Sequence, residues 1–329
     1  MNSAKILTLG ASALVLGLAS GATAQEAVRI GTSSVGSNFY VNAVAISEVV
    51  QKQGKINTSV QALGGSSANV RGLARKKIEF AMANAFAAYS GYFGTYNFKG
   101  KKMPVRLVVQ GHTNERAILV RKAANIKSVK DLEGRTMVGK RRALPELALI
   151  AEQFQKVNGL KKLNVVATTN TGEVFKAFAA GSIDAAIVPT GPRAGNVQKA
   201  IRDGHVELLR WDAKKRDEML KNLPDLMFAG TFGPASFDGH DFDSPVIAMR
   251  TYFISAPHVS AEIVYKVSKT MYENTKLMAT YQKQLAQWTV ENALRNFSLP
   301  YHDGAIRYFK ERKLWTKAHE DKQKKLLGS

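Results

Sequence analysis

The chain has 329 residues, with 47 Lys and Arg against 26 Asp and Glu, a formal charge of +21, and no cysteine. That length carries one large domain or two medium ones, and a hydrophobic content of 45% is enough to bury a sizeable core. The missing cysteines exclude disulfides, a thiol nucleophile and thiolate metal sites, and the excess positive charge favours anionic partners.

Lys5 precedes an apolar run from Ile6 to Ala19, and Ala22-Thr23-Ala24 offers small residues for cleavage. The pattern predicts a signal peptide over residues 1–24 and a mature chain from Gln25. The apolar run is shorter than the ~20 residues a spanning helix needs, and no later segment reads as a span. An exported chain without disulfides is compatible with a bacterial periplasm. Export also argues against nucleic acid as the partner of the basic surface.

The first strand, Val28 to Ile30, runs into Gly31-Thr-Ser-Ser-Val-Gly-Ser37, and a helix is expected from Asn38. Backbone N–H groups at the helix N-terminus, with Ser33, Ser34, Ser37 and Asn38, suit an anion, and Tyr40 sits where it could close over one. Phe39, Ala43, Ile46 and Val50 share the core face of this helix. A second strand, Ile56 to Leu63, ends in Gly64-Gly65-Ser66-Ser67, where Ser66 is the expected N-cap of a second helix. A third strand, Glu79 to Ala83, delivers Asn84 to the start of a third. Neither glycine loop matches a dinucleotide or P-loop fingerprint. Three strand-loop-helix units imply a parallel sheet with ligand groups outside the strand C-termini.

Two extended stretches, Val105 to Gly111 and Ala117 to Arg121, read as crossings out of this lobe. A second α/β set follows. Its strands are expected at Thr136–Val138, Leu163–Ala167, Ile183–Val188 and Val206–Leu209, with helices between them. Leu223 to Asp243 reads as irregular and Val246 to Ser255 as the return crossing. The remainder is mostly helical. The expected organisation is residues 25–115 in a first lobe, 116–244 in a second lobe with crossing strands, and 245–329 returning to the first, with a cleft between the lobes. Lys140, Arg141 and Arg142, at the end of the first strand of the second lobe, read either as a carboxylate clamp or as a solvated basic run. Thr190, at another strand end, offers a hydroxyl to the cleft.

In its motifs the chain resembles the TAXI proteins, the extracytoplasmic solute-binding components of one class of TRAP transporters. The resemblance rests on Gly31-Thr-Ser-Ser-Val-Gly-Ser-Asn-Phe-Tyr40, on Gly64-Gly-Ser-Ser-Ala-Asn69 with Arg71 and Leu73, on Ala229-Gly-Thr-Phe232, and on Leu299-Pro-Tyr-His-Asp-Gly-Ala305 with Arg307-Tyr308-Phe309. It covers nearly the whole mature chain. It implies a two-lobe type II periplasmic-binding-protein fold, hinge closure on a small carboxylate, and delivery to a TRAP membrane subunit driven by an ion gradient. No cofactor is implied, and a monomer is the expected state.

The sequence departs from the family in three places. Ser33-Ser34 replaces a glycine pair, Asn84-Ala85-Phe86 lacks the family's acid after the third strand, and Lys140-Arg-Arg142 replaces a small loop. These departures favour a ligand without an amino group, for example a dicarboxylate. The ligand-binding set expected from the sequence is Ser33, Ser34, Ser37, Asn38, Tyr40, Gly65, Ser66, Asn84, Lys140, Arg141, Arg142 and Thr190. No catalytic or metal-binding residue is expected, because no nucleophile elbow, zinc motif or cofactor fingerprint is present. The competing readings are a receptor for an ATP-driven importer or a signalling system, and an exported enzyme on the same scaffold.

Overall fold

The computed structural model describes residues 27–328, so the expected leader and the first mature residues lie outside the described residues. The first part of the chain runs β1 (Val28–Thr32), α1 (Asn38–Gly54), β2 (Thr58–Ala62), α2 (Ser66–Ala74), β3 (Phe80–Asn84) and α3 (Ala85–Phe93). A long strand β4 (Arg106–Arg121) leads to β5 (Thr136–Lys140), α4 (Glu146–Asn158), β6 (Asn164–Ala167), α5 (Thr171–Ala179), β7 (Ala185–Thr190), α6 (Gly195–Arg202), β8 (Val206–Leu208), α7 (Ala213–Leu220) and β9 (Phe228–Phe232). The chain returns through β10 (Ser244–Ser255) to α8 (Ala261–Glu273), α9 (Thr275–Tyr281), α10 (Val290–Leu294), α11 (Asp303–Glu311) and α12 (Lys317–Leu327).

The strands form one mixed sheet in the order β2-β1-β3-β10-β4-β7-β5-β6, with β8 on β4 and β9 on β10. β1 pairs in parallel with β2 and β3, and β5 pairs in parallel with β6 and β7. Strands that neighbour one another in this way need helical crossovers, which is why both ends of the sheet alternate strand and helix. The middle is different: β10 runs antiparallel to β3 and to β4, and β4 runs antiparallel to β7. Among the described residues the chain passes between the two halves only along β4 and β10. Their pairing is irregular between Arg250 and Tyr252 and again between Phe253 and Ile254.

The apolar side chains divide the same way. One buried cluster joins Ile30, Ile46, Phe80 and Leu107 to Phe253, Met271 and Phe309. Two others gather Ile118, Leu147, Phe154 and Ile187, and Leu119, Val174, Val188 and Phe232. Trp288 is fully buried and lies flat on the backbone of Gly111, where an added Cβ would come within 2.2 Å of the indole. Glycine there permits the close approach. The indole N–H donates to His112 Nδ1 at 2.7 Å, and burial pushes the His112 pKa down to about 3. The ring is therefore neutral, with its proton on Nε2.

Three local expectations change. The two crossing stretches are a single strand of 16 residues, β4; the polar run from His112 to Arg116 interrupts its hydrophobic pattern without ending it. Leu223 to Asp243 contains a strand, β9, on the edge of β10. The N-cap of α2 is Gly65, not Ser66; the Ser66 hydroxyl instead accepts from the Asn84 N–H at 3.1 Å. The lobe boundaries expected at 115/116 and 244/245 fall within β4 and at the start of β10. Among the described residues no helix is long and apolar enough to cross a membrane.

Candidate functional site: a cleft where six helices begin

A cleft opens where β4 passes between the halves. Ser33, Ser37 and Asn38 at the start of α1, Gly65 and Ser66 at α2, and Asn84 at α3 line one wall. Leu144 just before α4, Thr171 at α5 and Asn196 at α6 line the other, with Asn114 and Arg116 of β4 and Arg141 between them. Six helices thus direct their N-terminal turns at one space. The first N–H groups of a helix have no intrahelical partner, and the helix dipole adds positive potential there. The convergence follows from topology, because each parallel strand ends at this edge and its helix starts there.

The cleft also holds fixed charges. Arg116 Nη2 donates to Glu146 Oε1 at 2.6 Å, and the two side chains are 1% and 0% exposed. Asn84 Nδ2 donates to the same oxygen at 2.8 Å, and Arg116 Nη1 donates to Asn114 Oδ1. Arg116 Nε and Glu146 Oε2 are buried without a hydrogen-bond partner among the described residues. Arg141 is also buried, and burial lowers its pKa from the usual value. Its Nε donates to Thr169 O at 3.1 Å, its Nη1 to Thr171 Oγ1 at 3.0 Å, and its Nη2 across the cleft to Gly64 O at 2.9 Å. Of the two guanidiniums, Arg116 pairs with Glu146, and Arg141 has no carboxylate in contact among the described residues.

The two walls touch. Besides Arg141 to Gly64 and Asn84 to Glu146, Ser67 N–H donates to Ala143 O at 3.3 Å. Gly65 has a φ of +145°, a region only glycine enters freely, and an added Cβ would sit 3.1 Å from Ala143 Cβ. The interior volume is about 40 Å³, room for about three waters, so a solute of several heavy atoms enters only when the walls part.

Of the residues expected from sequence, Ser33, Ser37, Asn38, Gly65, Ser66, Asn84 and Arg141 line this cleft. Ser37 also caps α1, its hydroxyl accepting from Tyr40 N–H at 3.2 Å. Ser34 and Tyr40 are half-buried outside the lining, and Thr190 is buried with its hydroxyl donating to Gly191 O at 3.2 Å. Lys140 and Arg142 are exposed, and Arg142 faces a separate groove. Asn114, Arg116, Glu146, Thr171 and Asn196 lie outside the expected set, although the sequence puts Arg116, just before the second crossing stretch, and Thr171, at a strand end, where a side chain can reach the cleft. The available signal was the polar run in β4, whose alternate residues Asn114 and Arg116 share one face. Glu115, between them, points away from that face. Its Oε1 accepts from the Thr113 hydroxyl, its Oε2 has no partner among the described residues, and burial raises its pKa. Among the described residues no three His, Asp or Glu side chains gather to hold a metal ion.

The model of the NMT1-like family matches residues 30–312, and the chain belongs to that family. Among solved structures it is similar to the periplasmic binding protein BugD, with 12% identity and a TM-score of 0.57 over 91% of this chain and 97% of that one. It is similar as well to MatC from Rhodopseudomonas palustris with bound malate, with 13% identity and a TM-score of 0.54 over 90% and 98% of the two chains. Likeness at such identity shows the fold: a central sheet flanked by helices, as in periplasmic binding proteins.

Proposed function

We propose that the chain is an exported receptor that closes on a small organic carboxylate and delivers it to an ion-gradient-driven TRAP transporter. The observation that carries the anion is the meeting of six helix N-termini with two buried guanidiniums, of which Arg116 pairs with Glu146 and Arg141 with no carboxylate among the described residues. Arg116 Nε–H is a buried donor left over from the protein's own network, and a carboxylate oxygen satisfies it. The charge of Arg141 suits a single ligand carboxylate. In a dicarboxylate without an amino group, the second carboxylate rests on helix N-termini and serine hydroxyls, because Arg142 lies outside this cleft. Glu146 already pairs with Arg116 and Asn84 through its Oε1, and its Oε2 is an acceptor left over, so the amino acids in the screen below decide whether the ligand carries an amino group.

Closure turns on β4 and β10, the two segments that join the halves, and a ligand selects the closed state by touching both walls. Delivery to a TRAP membrane subunit, in the periplasm and as a monomer, rests on the resemblance to the TAXI proteins. The test is a thermal-shift screen of the mature protein against mono- and dicarboxylates, 2-oxo acids, sulfonates and amino acids. A carboxylate at a hundred times its dissociation constant is expected to add about 2.7 kcal/mol of stability. A shift with basic amino acids alone would overturn the carboxylate reading.

A further inference from the structure

Behind the cleft, on the outer side of the junction between the halves, lies a second and larger cavity of about 730 Å³. Arg71, Arg75 and Lys77, from α2 and the turn after it, line it on one side, and Arg142 faces them from the loop after β5. Arg71 is held in place: its Nη1 and Nη2 donate to Ser67 O at 3.3 Å and Asn97 O at 3.1 Å, and its guanidinium lies 4.4 Å from the centre of the Phe98 ring. Burial lowers the Arg71 pKa, and the charges of Arg142 and Arg75 lower it further, so these cations already act on one another. Arg75, Lys77 and Arg142 are exposed and form no ion pair among the described residues. The one acid in the lining, Glu173, is taken up by its own loop, accepting from the Thr169 N–H at 3.0 Å and from the Thr168 hydroxyl at 3.1 Å.

We infer that this groove binds a multiply charged oxyanion, a polyphosphate or polycarboxylate, at a site separate from the solute cleft and bridging the two halves. Four cations around one committed acid repel each other across the junction, and a single-charge ligand leaves most of that repulsion in place. An anion with several acid groups spaced along its length meets Arg71, Arg75 and Lys77 on one wall and Arg142 on the other. Bound there, it stabilises the closed arrangement, because opening would carry Arg142 away from the others. The inference does not depend on the carboxylate reading of the inner cleft.

The test is calorimetric titration of the mature protein with tripolyphosphate and with citrate at low ionic strength, where surface charges are least screened. The wild type is expected to bind at least one of the two. Arg75→Gln with Arg142→Gln is expected to weaken it by at least about tenfold, since each lost charge-assisted bond is worth a sizeable fraction of that factor. Lys214→Gln with Lys221→Gln removes the same charge from exposed positions at the two ends of α7, outside the groove, and is expected to leave binding within about twofold. Equal losses in the two double variants would reduce the effect to overall surface charge and overturn the inference. No binding by the wild type would also overturn it. Arg142→Gln alone separates bridging from one-sided binding, and an unchanged affinity there would overturn the bridge.

Discussion

The inner cleft and the outer groove are both lined by arginines, yet they treat them in opposite ways. In the cleft Arg116 and Arg141 are buried, and between them they use almost every donor on Glu146, Asn114, Gly64, Thr169 and Thr171. In the groove Arg75, Lys77 and Arg142 stand in water without ion pairs among the described residues. Desolvation explains the difference. A buried charge is tolerated only with partners arranged around it, whereas an exposed one needs none and is screened by salt. The cleft is therefore built for short-range geometry, the groove for total charge. A solute held in the cleft should bind with little dependence on salt, and an anion held in the groove should be released by it.

The largest effect expected is from Arg116→Met, which strands the Glu146 carboxylate in the interior. Unfolding in urea should show a loss of about 3–5 kcal/mol, and a loss below about 1 kcal/mol would mean that the pair contributes no more than one at the surface does.

Next is the pH response of His112. The unfolded chain takes a proton on this ring below its ordinary pKa of 6.5, while the folded chain refuses it until about 3. Across that window the unfolded state binds more protons, so stability rises with pH from about 3 to 6.5 and the contribution of the neutral ring is complete above it. His112→Asn keeps an acceptor for the Trp288 N–H and removes the titration. The difference between variant and wild type, followed by denaturant unfolding, should shrink by up to about 1.4 kcal/mol for each pH unit of acidification. A difference independent of pH would show that the folded chain protonates this ring as readily as the unfolded one.

Gly65→Ala should cost about 1–3 kcal/mol by forcing a side chain into a glycine-only conformation, and its Cβ presses on Ala143, so solute affinity should fall with stability. Arg141→Lys should weaken solute binding by about tenfold, because a single ammonium cannot reach Gly64, Thr169 and Thr171 together. The smallest effect is expected for Arg142→Gln, with solute affinity unchanged and stability within about 0.5 kcal/mol. A large loss of solute affinity there would erase the distinction between the two regions and return Arg142 to the cleft.

The alternation of short apolar strands with helical stretches was enough to predict two parallel α/β sets and the edge at which their loops meet. It works because side-chain periodicity and glycine placement are local properties of the chain. Ser33, Ser37, Asn38, Gly65, Ser66 and Asn84 could be assigned to that edge for the same reason, since each lies where a strand gives way to the helix after it. What the sequence did not disclose is what lies opposite them. The run from His112 to Arg116 reads as a break between two strands, because polar residues mid-strand ordinarily mark an end. Only the pairing of β4 with both β10 and β7 keeps it extended and sets Arg116 against Glu146, a partner thirty positions away. Arg141 and Arg142 are adjacent in the chain and alike in chemistry, and no sequence pattern separates them. One is drawn inward by carbonyl and hydroxyl acceptors from both halves, the other left in solvent, and that choice belongs to the packing of the two halves.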